Sequence, residues 1–452
     1  MKIAWFTPFL KVSAIGRFSR LVTNRLAQSA RVDLWVADPE TEELHETALR
    51  IIRYSQLAHA ERLLHEYDVI VYNLGDQIHY HRHIFEISQR VRGIIILHDY
   101  VMHHFFAAYY DIHHAWDKYA EVMRRWYNAD LRLSPTGWTG DTWRVWERDE
   151  VIQYPLYQEA IVNCNGVITH ADFVRDAVDR VASAPVTRIH LAYSTDCTSP
   201  VLSRRQLQVP EDSVLVVTTG HVNENKRIHV VLQALAANRD LLDSITYVVI
   251  GKCDGPFGPR VKAMRDELNL GDSVRLIGYA SDQVLRSFLW HSELCVNLRW
   301  PAMEGGSASC AEQMLFGKPS IVTDTGVYSE LPETCVRKVR PDHELDDLTR
   351  HLRDLVHDAP LRKLMGSEAR IYAEANFCPD VYVRRFLDFC TEVAYYGPAL
   401  SLMDTAGSEL RRIGISSDMA IVETVAREGA LLMGADCDPP VLRNEHGRAE
   451  SK

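Results

Sequence analysis

Short, almost continuously apolar runs alternate with helix-length amphipathic stretches along this chain. No other feature restricts its fold as strongly. KIAWFT (2–7), RVDLWVA (31–37), DVIVYNLG (68–75), GIIILHD (93–99), NGVITH (165–170) and TRIHLAY (187–193) read as strands buried on both faces. Helical patterns such as GRFSRLVTNRLAQS (16–29), HRHIFEISQRV (81–91) and ADFVRDAVDRVA (171–182) lie between them. Such alternation implies a parallel, doubly wound sheet. A second series follows a polar stretch around 194–213: SVLVVTTG (213–220), ITYVVIG (245–251), SVRLIG (273–278), ELCVNLR (293–299) and PSIVTD (319–324), again with helices between. Two such halves leave a cleft, and in open α/β sheets ligands bind beyond the carboxyl ends of the strands.

The expected organisation is a first domain over 1–195, a linker over 196–212 and a second domain over 213–375. A closing helix over 376–400 packs back toward the first domain, and 401–452 forms an appendix. Within the first domain, 100–160 is aromatic and His-rich and reads as a helical insertion. In the appendix, SDMAIVETVAREGALLM (417–433) reads as a helix and the tail from 439 as disordered. A length of 452 residues suits two domains. The net charge of -11 argues against wholesale nucleic-acid binding. Nine scattered cysteines, none spaced CxxC, fit reduced thiols in a cytoplasmic protein. No signal peptide is read at the start, and no apolar run approaches the ~18 residues of a membrane span.

Three stretches carry chemistry. In VLVVTTGHVNENKRIH a strand ends at Gly220, and Lys226 and Arg227 then open a helix. Helix N-terminal amides with adjacent cations suit a diphosphate. In PAMEGGSASCAEQM, Gly305 and Gly306 permit close backbone approach, Ser307 caps a helix, and Glu304 sits at its tip. Glu312 then lies about 7.5 Å along the axis at ~1.5 Å per residue. Two carboxylates flanking amide donors match a ligand with hydroxyls at both ends and phosphates between, which is the layout of a nucleotide sugar. Out of context the same stretch is a glycine loop with two solvated glutamates. The third stretch, IIILHDYVMHH, ends a strand at His98 and Asp99. The remaining histidines (His79, His81, His83, His103, His104, His113, His114) have mixed spacings that give no metal-ligand pattern.

The spaced pair Glu304 and Glu312, then Gly317-Lys318-Pro319 and GVYSELP (326–332), resembles the donor domain of retaining GT-B glycosyltransferases, the family 4 (group 1) class. The resemblance extends to about residue 400. It implies the GT-B fold: two Rossmann-like domains facing across a cleft, here with a helical insertion and a C-terminal helical appendix. It implies that Glu304 holds the donor sugar, Glu312 the ribose and Lys226 the phosphates, with amides of Gly305, Gly306, Ser307 and Ala308 toward sugar and phosphate. The basic position after the first strand of the second domain is His221 where the family has Arg, and Arg227 is expected to supply the missing cation. Gly16 matches a glycine near the diphosphate, and His98 a histidine at the acceptor side. Arg299 and Trp300 read as core or rim.

The implied activity is sugar transfer from a UDP- or GDP-sugar to a glycan, lipid-linked or small-molecule acceptor hydroxyl. Retention, independence of metal and the absence of any cofactor beyond the donor substrate are implied with it. The expected setting is carbohydrate biosynthesis in the cytoplasm, with peripheral contact at the inner membrane face left open. Two alternatives stay open at this point: a nucleotide-sugar epimerase or hydrolase on the same fold, and a degenerate sugar-nucleotide-binding scaffold.

Overall fold

A computed structural model describes residues 1–37, 43–57, 59–129, 144–200, 202–253, 255–415 and 420–432. The first domain holds strands β1 (Lys2–Phe6), β2 (Arg31–Val36), β3 (Arg50–Arg53), β4 (Val69–Leu74), β5 (Ile94–Leu97), β6 (Gly166–Thr169) and β7 (Val186–Arg188). They form one parallel sheet in the order β3-β2-β1-β4-β5-β6-β7. The second domain holds β8 (Val214–Thr219), β9 (Ile245–Ile250), β10 (Val274–Gly278), β11 (Leu294–Asn297), β12 (Ser320–Thr323) and β13 (Val336–Val339), parallel in the order β10-β9-β8-β11-β12-β13. Two doubly wound sheets facing across a cleft is the architecture expected from the alternation.

The central strands are buried on both faces: Ile3, Ala4, Trp5 and Phe6 of β1 and Ile94 to Leu97 of β5 are almost inaccessible. Each buried Val, Leu or Ile side chain contributes about 1.5–3 kcal/mol, so these runs fix the centre of each sheet. Two strands escape the sequence reading, and both are sheet edges: β3, Arg-Ile-Ile-Arg, and β13, Val-Arg-Lys-Val. An edge strand meets solvent and carries charge, which hides it among loop residues.

The insertion contains helices His103–Ile112, Trp116–Tyr127 and Tyr157–Ile161; residues 130–143 lie outside the described residues. His103 shows why a histidine-rich segment need not bind metal. Its ring sits in the core and hydrogen-bonds the Tyr154 carbonyl and, at 2.7 Å, the Tyr119 hydroxyl.

The closing helix does pack on the first domain, but it does not stop at residue 400. It runs unbroken from Pro379 to Arg412. The ring of Phe386 meets Trp5 at 5.6 Å and Tyr382 meets Phe18 at 5.2 Å. A further helix spans Ala420–Leu432, within the stretch read as helical. The tail from 433 lies outside the described residues. The cysteines described are all free thiols. No helix among the described residues is long and apolar enough to cross a membrane.

Candidate functional site

The carboxyl ends of β1, β4 and β5 face those of β8 and β11 across a cavity of about 630 Å³. The first domain lines it with Arg17, Asp76, His81, His98 and Asp99; the second contributes Gly220, Glu304, Gly306, Ala308, Ser309 and Glu312. The domains touch directly at its floor. Gly305 N–H donates to the His98 carbonyl at 2.9 Å, and the amides of Tyr100 and Val101 donate to the Met303 carbonyl at 2.9 and 3.0 Å.

Glu304 and Glu312 share one wall but not one environment. Oε1 of Glu304 accepts from Arg299 Nε at 3.0 Å and from the Tyr328 hydroxyl at 2.6 Å. Burial alone would push this carboxyl's pKa up. The Arg299 charge and the Tyr328 hydrogen bond outweigh it and hold the value below the usual range. Glu312, in the second turn of helix Ala308–Leu315, lies beside Tyr193 and Thr195. Burial dominates there and pushes its pKa up. Arg299, read from sequence as core or rim, is the buried cation that keeps Glu304 charged. Its position at the end of β11, five residues before Glu304, was the available signal.

Ser307 caps helix Ala308–Leu315, its hydroxyl accepting from Cys310 N–H at 3.3 Å. The first amides of any helix lack internal partners, and Gly306, Ala308 and Ser309 present this end to the cavity. Lys226 lies behind Gly220. Its amine donates to the Thr219 carbonyl at 2.7 Å, and a Cβ on Gly220, whose φ is +101°, would sit 2.7 Å from that nitrogen. Gly220 therefore serves both a left-handed turn and the approach of the amine. Burial first, then the charge of Arg299, pushes the Lys226 pKa well down.

Several expectations need correction. Arg227 does not supply a cation to the cleft. It forms a two-pronged ion pair with Glu344, at 2.7 Å from Nη2 and 2.9 Å from Nε, and is not on the cavity wall. The amide of Gly305 is occupied by His98, and a Cβ there would come within 2.9 Å of that carbonyl, so this glycine admits the other domain rather than a ligand. Gly306 also meets the first domain: a Cβ would lie 3.2 Å from those of His170 and Leu191. Gly16 faces inward, where a Cβ would lie 2.6 Å from the Pro8 and Leu10 carbonyls, and its amide is held by Ser13 Oγ at 3.1 Å. Its neighbours Ile15 and Arg17 reach the cavity instead. His221 is exposed in the loop after Gly220, off the cavity wall.

His98 lines the cavity, with Nε2 bound to Asn73 and Nδ1 turned to a second imidazole. Asn73 Nδ2 donates to the Phe6 carbonyl at 2.8 Å, which turns its oxygen toward His98 Nε2 at 3.0 Å. His98 Nδ1 lies 3.2 Å from His170 Nε2, while His170 Nδ1 meets the Ile189 carbonyl at 2.9 Å. Both outer contacts require an N–H, so a hydrogen lies between the rings only when one of them is charged. Burial opposes that charge and lowers both pKa values. His98 is thus a wall residue fixed at Nε2 by Asn73, with its Nδ1 turned to the His170 ring. His81, also on the cavity wall, has its Nδ1 on the Asn73 carbonyl at 3.0 Å. Among the described residues no three His, Cys, Asp or Glu side chains converge as a metal-binding group.

Asp99, next to His98, accepts from the Asp76 N–H at 2.9 Å. Burial, then the nearby Asp76 charge, raises its pKa to about 7. A carboxyl with a raised folded pKa binds its proton more tightly than the unfolded chain does. Its contribution to stability is therefore complete at low pH and is lost as pH rises toward 7. Asp99→Asn keeps the acceptor oxygen and removes the charge. It is expected to raise Tm at pH 8 and to leave it unchanged at pH 4, as calorimetric scans at the two pH values would show.

The family model of glycosyl transferases group 1 matches residues 202–372. No curated protein matches the chain by sequence. Sucrose-phosphate synthase from Thermosynechococcus elongatus superposes with a TM-score of 0.62 at 17% identity, covering 87% of this chain and 99% of its own. HepE of Anabaena, solved in complex with UDP-glucose, gives 0.60 at 16% identity, over 87% of this chain and 100% of its own. WaaG, a glycosyltransferase involved in lipopolysaccharide biosynthesis, gives 0.57 at 14% identity, over 85% and 98%. Residues 202–372 are therefore similar to the group 1 glycosyl transferases, and 87% of the chain superposes on the GT-B fold of these solved structures.

Proposed function

We propose that the chain transfers a sugar from a nucleoside-diphosphate sugar to an acceptor hydroxyl, with retention at the anomeric carbon and without a metal ion. One observation carries this reading: Glu304 and Glu312 stand on a single wall of the interdomain cavity, with the N-terminus of helix Ala308–Leu315 between them. The match to glycosyl transferases group 1 and the likeness to a structure solved with UDP-glucose support it.

The charged Glu304 accepts hydrogen bonds from donor sugar hydroxyls, and Glu312 holds the ribose. As the bond from the anomeric carbon to the phosphate oxygen breaks, the diphosphate leaves with the electron pair. The helix N-terminus then faces the developing charge, and Lys226 adds its amine from behind Gly220. The acceptor hydroxyl bonds to the anomeric carbon from the same side, and its proton passes to the departing phosphate oxygen. Contact of the two domains around the cavity excludes water and aligns donor with acceptor.

Thermal shift against UDP, GDP and their common sugars tests the first half, since a ligand that binds only the folded chain raises Tm. Release of the diphosphate is then measured with an acceptor panel in excess chelator, with the product anomer read by NMR. The expected outcome is acceptor-dependent release and a product of the donor's anomeric configuration. Release at an equal rate with and without acceptors would support the epimerase or hydrolase reading instead.

A further inference from the structure

A nucleoside diphosphate brings several negative charges, and the second domain's cations do not face it freely. Arg227 is bound to Glu344 at 2.7 Å and buried Arg299 to Glu304 at 3.0 Å. Lys226 lies behind Gly220 with its amine on the Thr219 carbonyl, and His221 stands off the wall. Among the described residues, the arginine on the wall itself is Arg17, in the first turn of helix Ala14–Leu26 of the first domain. The lysine on that wall, among the described residues, is Lys11, which makes a shorter but similarly exposed pair with Glu43 at 2.8 Å.

Arg17 has one long ion pair and a hydrogen bond with the Tyr193 hydroxyl. Its guanidinium reaches across to Asp282 of the second domain at 3.5 Å, longer than the ~2.7–2.9 Å of a charge-assisted hydrogen bond. Asp282 is itself 70% exposed, so solvent and salt weaken the pair. Arg17 also faces Tyr193 and Glu312, at the end of the site assigned above to the ribose.

We propose that Arg17 is a diphosphate-binding residue, released by Asp282 when the anion enters, so that the ligand is gripped from both domains. This rests on the nucleotide-sugar reading above. The guanidinium fork matches two phosphate oxygens, whereas a carboxylate at 3.5 Å engages one of its nitrogens. A grip from the first domain also couples donor binding to domain contact, which a cation of the second domain would not do.

Calorimetry on the full chain with UDP, GDP, uridine and guanosine tests this. Arg17→Gln is expected to lose tenfold or more in affinity for the diphosphate that the wild type binds better, with nucleoside affinity unchanged. That loss shrinks as salt is raised. Asp282→Asn, which removes the competing carboxylate, is expected to tighten diphosphate binding several-fold. Three results would overturn the proposal: Arg17→Gln binding the diphosphate as wild type does, an equal loss for diphosphate and nucleoside, or weaker diphosphate binding in Asp282→Asn. Failure of the wild type to bind either diphosphate would instead overturn the nucleotide-sugar reading, and this inference with it.

Discussion

Glu304→Gln is expected to cut sugar transfer by two orders of magnitude or more, the scale of removing a transition-state partner. Affinity for the bare nucleoside diphosphate should stay nearly unchanged, because that ligand has no sugar for Glu304 to hold. The same variant should also lose roughly 3 kcal/mol of stability, since it strands the buried Arg299 without its carboxylate. That penalty has a definite pH dependence. Glu304 titrates below its usual range, so the stability it adds is present above pH ~4.5 and is lost as pH falls through the depressed value. Glu312→Gln should behave in the opposite way on both counts. Its carboxyl is pushed up by burial, so a neutral amide costs the fold little. Diphosphate binding, however, should weaken by ~1.5–3 kcal/mol with the loss of a charged hydrogen bond to the ribose.

Denaturant melts, calorimetry with UDP or GDP, and a transfer assay well below Tm separate these effects. The double variant Glu304→Gln/Arg299→Met removes the stranded charge. It should recover stability without recovering transfer. Recovery of transfer would mean that Glu304 acts only by neutralising Arg299. Equal losses of diphosphate affinity in Glu304→Gln and Glu312→Gln would sink their separate roles.

Lys226→Met carries the second large effect. Methionine fills nearly the same volume and removes an amine that burial has already pushed toward neutrality, so the fold should change little. Turnover should fall about a hundredfold if the amine meets the leaving group's charge. At pH values near the amine's depressed pKa, the wild type should also bind the diphosphate with uptake of a proton, because a nearby anion raises that pKa. Affinity then falls as pH rises through that depressed value, and Lys226→Met should lose this slope. Titration calorimetry in two buffers of different ionisation enthalpy reads the proton directly. No proton uptake in the wild type, together with full turnover in Lys226→Met, would remove the lysine from the mechanism.

The twice-repeated alternation of apolar runs and amphipathic helices was enough to determine two parallel sheets and the cleft between them. A strand buried on both faces must be apolar throughout, and that pattern is local. Edge strands β3 and β13 stayed hidden because charges on a solvent-facing edge look like loop. The order of Glu304, Ser307 and Glu312 around a helix start was likewise legible, since capping and helical rise depend on neighbouring residues alone. Partnership across the molecule was not. Only the tertiary structure could show that Arg227 belongs to Glu344, that Arg299 and Tyr328 hold Glu304, and that Asn73 fixes one nitrogen of His98 while the His170 ring faces the other. The same holds for Gly16 and Gly305, which look like ligand-approach positions until the backbone that fills the space is in view. A charge or a glycine has no assigned role until its neighbour is known. Here those neighbours lie as far apart in sequence as Arg17 and Asp282, 265 residues away.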